Sequence, residues 1–191
     1  MIIGLTGRNG AGKGTVADWF TARGFEFTSL SDAIRRDLRA RGLEITRDNL
    51  IAGGRRLRQA GGAGILASRS LAHIEAEGGG DWIVDSIRNP AEVHVLRTAP
   101  AFALVEVCAS AKVRYARVVA RGRGGDAESL EEFMRQEQAE LHSKEASSQQ
   151  LLATAELADH QVDNASVLDD LWIQLEVLYP QVAIRSGFDE S

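Results

Sequence analysis

The stretch "GRNGAGKGT", Gly7 to Thr15, follows directly on "MIIGLT" and constrains the fold more than any other part of the chain. "MIIGLTG" reads as a short buried strand, apolar or small throughout and closed by glycine. From Lys13 to Arg23 the spacing of Val16, Ala17 and Phe20 predicts a helix with one inward face, and Gly24 suits the position just past its end. "FEFTSL" is a second, β-rich run. In a strand–glycine loop–helix setting the glycines let successive backbone N–H groups turn into one concavity, and the helix adds its positive end. Such a concavity suits phosphate. The residues placed around it are Gly7, Asn9, Gly10, Ala11, Gly12, Lys13, Gly14 and Thr15, with Lys13 reaching the outer phosphates. The bland alternative is a glycine turn with no ligand; the strand before, the helix after and the lysine in register argue against it. The stretch almost spells G-x-x-x-x-G-K-[ST], but Gly14 stands where the hydroxyl residue belongs and Thr15 follows it.

Further along, helices and buried strands keep alternating. Ser31 is positioned to cap a helix to about Arg41, and Thr46 another to about Leu57, broken by "QAGGAG". A third helix runs to about Glu77, and "WIVDSI" is a strand ending in Asp85. A helix from Pro90 to Thr98, the strand "AFALVEVCA" and a helix from Lys112 to Arg121 follow. Ser129 and Glu132 form a capping-box pattern for a helix to about Leu141. "DHQVDN" is a last strand, and Ser166 to Asp169 open the final helix. This rhythm predicts an α/β protein with a parallel sheet covered on both faces. An all-helical block at 31–78 and an Arg/Gly-rich block at 121–150 interrupt it.

At 191 residues a single domain is expected. No apolar run approaches a membrane span and the start lacks a basic leader, so a cytoplasmic protein is expected, in keeping with a single cysteine, Cys108, assigned to the core. The net charge of −5 gives no electrostatic case for nucleic acid. Only Lys13, Lys112 and Lys144 of the 22 basic residues are lysine. Arginine is the better bidentate phosphate partner, although a GC-rich genome would also raise it. His73, His94, His142 and His160 lack metal-ligand spacing, so no zinc site is expected.

The G-x-x-x-x-G-K-G-T ending resembles the adenylate kinase group of nucleoside monophosphate kinases, where K-G-T is normal. The resemblance implies a three-layer P-loop NTPase fold with a five-stranded parallel sheet. It gives a core at 1–30, 79–120 and 151–180, a helical acceptor-binding arm at 31–78 and a short lid at about 121–150. ATP and Mg²⁺ are the implied cofactors and small nucleotides the partners, with no nucleic acid, no membrane, and a monomer or homodimer. Gly14 cannot offer Mg²⁺ a hydroxyl, so Thr15 and Asp85, the latter through water, are the implied metal contacts. "SLSDAIRR" resembles the family's GDxLR, which puts Asp32 and Arg35 on the acceptor, with Ser31 in place of the family glycine. "DSIRNPAEV" stands where adenylate kinases carry DGFPR, and is closer to archaeal and bacterial relatives; Arg88 is its acceptor-phosphate candidate. Arg114, Arg117 and Arg121 share a helix face leading into "RGRGGDAE", similar to a kinase lid. Lys13, Arg88, Arg117 and Arg121 are the implied catalytic set, with Arg123 behind them. "ADHQVDNASVLDDL", Ala158 to Leu171, is similar to the end of dephospho-CoA kinases and makes Asn164 and Ala165 candidates at the adenine. The implied activity is transfer of the γ-phosphoryl of ATP·Mg²⁺ to a (deoxy)nucleoside monophosphate. Dephospho-CoA or a modified nucleotide is the other acceptor class, and a regulatory ATP-binding module without net transfer is the reading from another class.

Overall fold

The computed structural model describes residues 1–122, 129–141 and 150–185. Arg123 and the polar run "HSKEASSQQ" up to Gln149 therefore lie outside the described residues, as does the tail beyond Arg185. The chain alternates as β1 (Ile2–Thr6), α1 (Lys13–Thr21), β2 (Glu26–Ser29), then α2 (Leu30–Ala40), α3 (Arg47–Gly61) and α4 (Ile65–Ala76). It continues through β3 (Trp82–Asp85), α5 (Pro90–Leu96), β4 (Phe102–Cys108), α6 (Ala111–Arg121), α7 (Leu130–Leu141), α8 (Leu151–Ala155), β5 (His160–Asp163) and α9 (Leu168–Arg185). No helix among the described residues is long and apolar enough to cross a membrane.

The five strands form one parallel sheet in the order β2-β3-β1-β4-β5. Ile3 pairs with Ile83 on one side and Ala103 on the other, so β1 is the central strand. The chain moves outward from β1 in both directions, which puts the crevice beyond its carboxyl end, at Gly7 and after. Each face of the sheet has its own core. Ile3, Leu5, Val105 and Val162 pack against Val16 and Phe20 of α1 and Leu171 and Leu175 of α9. On the opposite face Val84 and Leu104 pack with Ile34 and Leu38 of α2, Leu57 of α3, Leu66 of α4 and Leu96 of α5. The three layers and the five-stranded parallel sheet are as expected.

Several local expectations need correction. Ser29, not Ser31, caps α2: its side chain accepts from the first turn while Asp32 Oδ2 accepts from the Ser29 N–H at 2.8 Å. "AGG" at 52–54 is neither a turn nor a loosening of the helix. α3 runs through it because a Cβ on Gly53 would lie 2.9 Å from Ile34 Cγ2, so the glycine lets α2 and α3 close together. α8 is absent from the expected elements.

Candidate functional site

The loop between β1 and α1 wraps as its glycines require. Gly10 has φ +78°, and a Cβ there would meet the Arg114 carbonyl oxygen at 2.6 Å. Gly12 caps α1 with φ +94°, and a Cβ there would overlap the Asn164 amide. Neither place admits another residue.

Lys13, first residue of α1, folds back over this loop and donates to Gly7 O at 2.8 Å and Arg8 O at 3.3 Å. Burial lowers its pKa to about 8; Asp85 works against that, while Arg88, Arg114 and Arg121 reinforce it. The same interactions place Asp85 from β3, Arg88 from the β3–α5 turn and Arg114 and Arg121 from α6 within electrostatic reach of one ammonium. The protonated lysine is the form that attracts phosphate. Nucleotide affinity should therefore be level below about pH 8 and fall towards about tenfold per pH unit above it. Titration calorimetry from pH 6.5 to 9.5 measures this; a level profile would place the Lys13 charge outside the binding reaction.

Gly14 is exposed on the first turn, with nothing within 4 Å of a built Cβ. The protein itself thus leaves room for a serine there, and the missing hydroxyl is not a steric matter. Thr15 lies next to it, partly exposed.

The loop is braced from outside. Asn164, buried, donates through Nδ2 to Ala11 O at 2.9 Å. Arg117 donates to the same Ala11 O and to Asn164 Oδ1, both at 3.3 Å. Arg121 reaches Asn9 Oδ1 at 3.4 Å. Arg114, only 2% exposed, donates to Ala109 O at 2.9 Å, to Asn9 O at 3.3 Å and to Glu137 on α7. Glu137 also accepts from Arg8 at 2.9 Å. Of the arginine stripe, then, Arg114 is committed to fixing the loop and α7, while Arg117 and Arg121 contact the loop through longer bonds.

Asp85 ends β3 beside the start of the helical block, pairing in register with Ser29. Its Oδ2 accepts from Ser86 Oγ at 3.1 Å; its Oδ1 is buried and has no partner among the described residues. A buried carboxylate oxygen with no donor is costly unless something else supplies one. A water of a nucleotide-borne Mg²⁺ fits that need, so Asp85 is suited to such an ion.

Arg88 is held by its backbone. Its N–H donates to Glu92 Oε2 at 2.9 Å, and its carbonyl accepts from the Gln150 N–H at 2.7 Å. Among the described residues its guanidinium has no hydrogen-bond or salt-bridge partner. On α2, Arg35 donates to Ser31 Oγ at 2.7 Å and Asp32 Oδ1 at 2.8 Å, which presents a half-exposed guanidinium at the start of that helix. Ala165 lines a cavity of about 510 Å³ between the β4–α6 and β5–α9 turns, together with Cys108, Ser110, Gln161, Asp163 and Gln174. Asn164 points instead at the loop. A smaller hollow of about 300 Å³ lies by Met1, Arg97 and Phe102, at the amino ends of the strands, away from these groups.

Two carboxylates escaped the sequence reading. Glu92 is fully buried and joins Arg58 of α3 to the Arg88 backbone. Glu137 joins α7 to the loop. "PAEV" and "RQE" look like ordinary helix charges, and nothing local marks either one.

No model of a known protein family matches the chain. It is 32% identical over 141 residues to a UPF0200 protein of Hyperthermus butylicus, covering 74% of this chain and 76% of that one. A UPF0200 protein of Thermococcus kodakarensis is 33% identical over 146 residues, covering 74% and 79%. Among solved structures, TT1252 from Thermus thermophilus superposes with a TM-score of 0.61 at 20% identity, over 95% of this chain and 97% of that one. Shikimate kinase from Bacteroides thetaiotaomicron does so with 0.58 at 16% identity, over 94% and 98%. The fold is that of the P-loop kinases.

Proposed function

The chain belongs to the UPF0200 family, and we propose that it is an ATP-dependent phosphotransferase, active in the cytoplasm as a monomer or homodimer. The observation that carries this reading is the Lys13 ammonium folded back onto the loop carbonyls, with Asp85, Arg88 and Arg121 within its electrostatic reach. A phosphate-binding turn alone explains the glycines and the lysine. It does not explain an arginine guanidinium and a buried carboxylate oxygen that both lack a partner among the described residues.

In this reading the backbone N–H groups of Gly10 to Gly14 and the start of α1 hold the phosphates of ATP. Lys13 leaves the loop carbonyls to meet the outer phosphates. Asp85, through a water, and Thr15 would hold Mg²⁺, which would supply neutralisation of the phosphate charge. Ala165 and its cavity receive the adenine, and Asn164 fixes the loop beneath. Residues 31–78 form the acceptor arm, where Asp32 orients Arg35 and Arg35 and Arg88 take the acceptor phosphate. The lid assigned to about 121–150 lies in part outside the described residues; Arg117 and Arg121, at its start, spread charge over the group in transfer, and 1–30, 79–120 and 151–180 form the core. The acceptor is a (deoxy)nucleoside monophosphate. A phosphate acceptor needs no strong general base, so catalysis consists of alignment, neutralisation and exclusion of water. The Arg35→Ala variant tests this: it should lose acceptor-stimulated ADP release and keep ATP affinity. A regulatory ATP-binding module would tolerate the change.

A further inference from the structure

Among the described residues, Ser86 is the one non-glycine residue with positive φ, at +66°. In this left-handed region an L side chain crowds its own backbone and glycine does not. A chain that accepts backbone strain beside a candidate site gains something from the side chain. Among the described residues the Ser86 hydroxyl has one partner, Asp85 Oδ2 at 3.1 Å. That bond ties down one oxygen of Asp85 and leaves Oδ1 buried and, among the described residues, unpaired.

We infer that Ser86 is a positioning residue: its hydroxyl locks the Asp85 carboxylate so that Oδ1 alone faces the hydrated divalent cation of the bound nucleotide. This rests on the kinase reading of the site. A lone carboxylate on a short side chain samples two oxygens and a range of rotation; a donor on one oxygen removes that freedom before the cation arrives. Partners of this outer kind set ligand orientation in metal sites, and their loss weakens metal affinity by about tenfold or more.

The test compares Ser86→Gly, Ser86→Asn and Asp85→Asn with the wild type. The readouts are Mn²⁺ affinity of the ADP-bound protein, followed by electron paramagnetic resonance, and thermal midpoint. Ser86→Gly relieves the strain and removes the donor, so it should hold or raise the midpoint while weakening Mn²⁺ by about tenfold. Ser86→Asn tolerates the left-handed backbone and restores a donor, so it should recover most of the affinity. ADP affinity in EDTA should be the same in the wild type and both Ser86 variants. If Ser86→Gly lowers the midpoint and leaves Mn²⁺ affinity unchanged, the hydroxyl is a fold tie and the inference is overturned. If Asp85→Asn weakens Mn²⁺ and Ser86→Gly does not, only the role of Ser86 falls. If neither variant weakens Mn²⁺, the assignment of Asp85 to the cation falls with it.

Discussion

Lys13→Ala should lower phosphoryl transfer by at least about 10²–10³-fold, the range for removing one preorganised charge or donor from a developing anionic transition state. Its effect on the fold should be small. The Lys13 side chain makes two bonds, both to loop carbonyls, and burial of its ammonium works against those bonds. The loop keeps its other supports, from Asn164 and Arg114. α1 keeps its packing through Val16, Ala17 and Phe20. Turnover and urea unfolding on the same preparation separate the two effects: the unfolding midpoint stays close to wild type while turnover disappears. A variant within tenfold of wild-type activity would remove Lys13 from the chemistry.

The second large effect concerns stability. Glu92 is fully buried and accepts from Arg58 Nη2 at 3.0 Å and from the Arg88 N–H at 2.9 Å, so it joins the helical arm to the turn that carries Arg88. Glu92→Ala removes one member of a buried ion pair and leaves the other charge and a backbone donor without an acceptor. The expected cost is about 3–5 kcal/mol. Replacing both Glu92 and Arg58 by methionine should recover much of it, because the uncompensated charge is then gone. Burial outweighs Arg58 and pushes the Glu92 pKa up. A carboxyl whose folded pKa is raised favours the fold most below the ordinary carboxylate value, and loses that contribution as the pH rises through the elevated one. The wild-type advantage over Glu92→Gln should therefore be largest in mild acid and shrink towards neutrality. Urea titrations across pH measure it; equal unfolding free energies for wild type and Glu92→Ala would show that the pair contributes nothing.

How much was legible in the sequence follows from how local each cause is. The β1–loop–α1 unit could be read because every part of its signal lies within about 20 residues: a buried run, obligatory glycines and a lysine at the helix start. The cap of α2 was readable too: Ser29 and Asp32 have the S-x-x-acid spacing that Ser129 and Glu132 show for α7, whereas Ser166, given the same role for α9, instead donates to Asp170 Oδ2 ahead of a helix that starts at Leu168. α8 carries little local signal. At five residues it is too short to be stable alone, and it is held by burial of Leu151 and Thr154. Gly53 carries no local signal for its place in α3, because the need for it comes from Ile34 on another helix. The candidate site divides in the same way. Lys13, Asp85 and Arg88 follow from motif and strand end. Glu92 and Glu137 act across 34 and 129 residues of sequence, on Arg58 and Arg8, and only the packing of the arm and of α7 brings them there.

The most direct measurement is the transfer itself. ATP labelled in its γ-phosphate is incubated with Mg²⁺, the protein and a panel of ribo- and deoxynucleoside monophosphates plus dephospho-CoA, with Lys13→Ala in parallel. The expected result is label on a nucleoside monophosphate, stoichiometric with ADP formed and absent with Lys13→Ala. Label on dephospho-CoA alone would keep the phosphotransferase and change its acceptor. Tight ATP binding with no label on any acceptor would contradict the kinase account and favour a regulatory ATP-binding module.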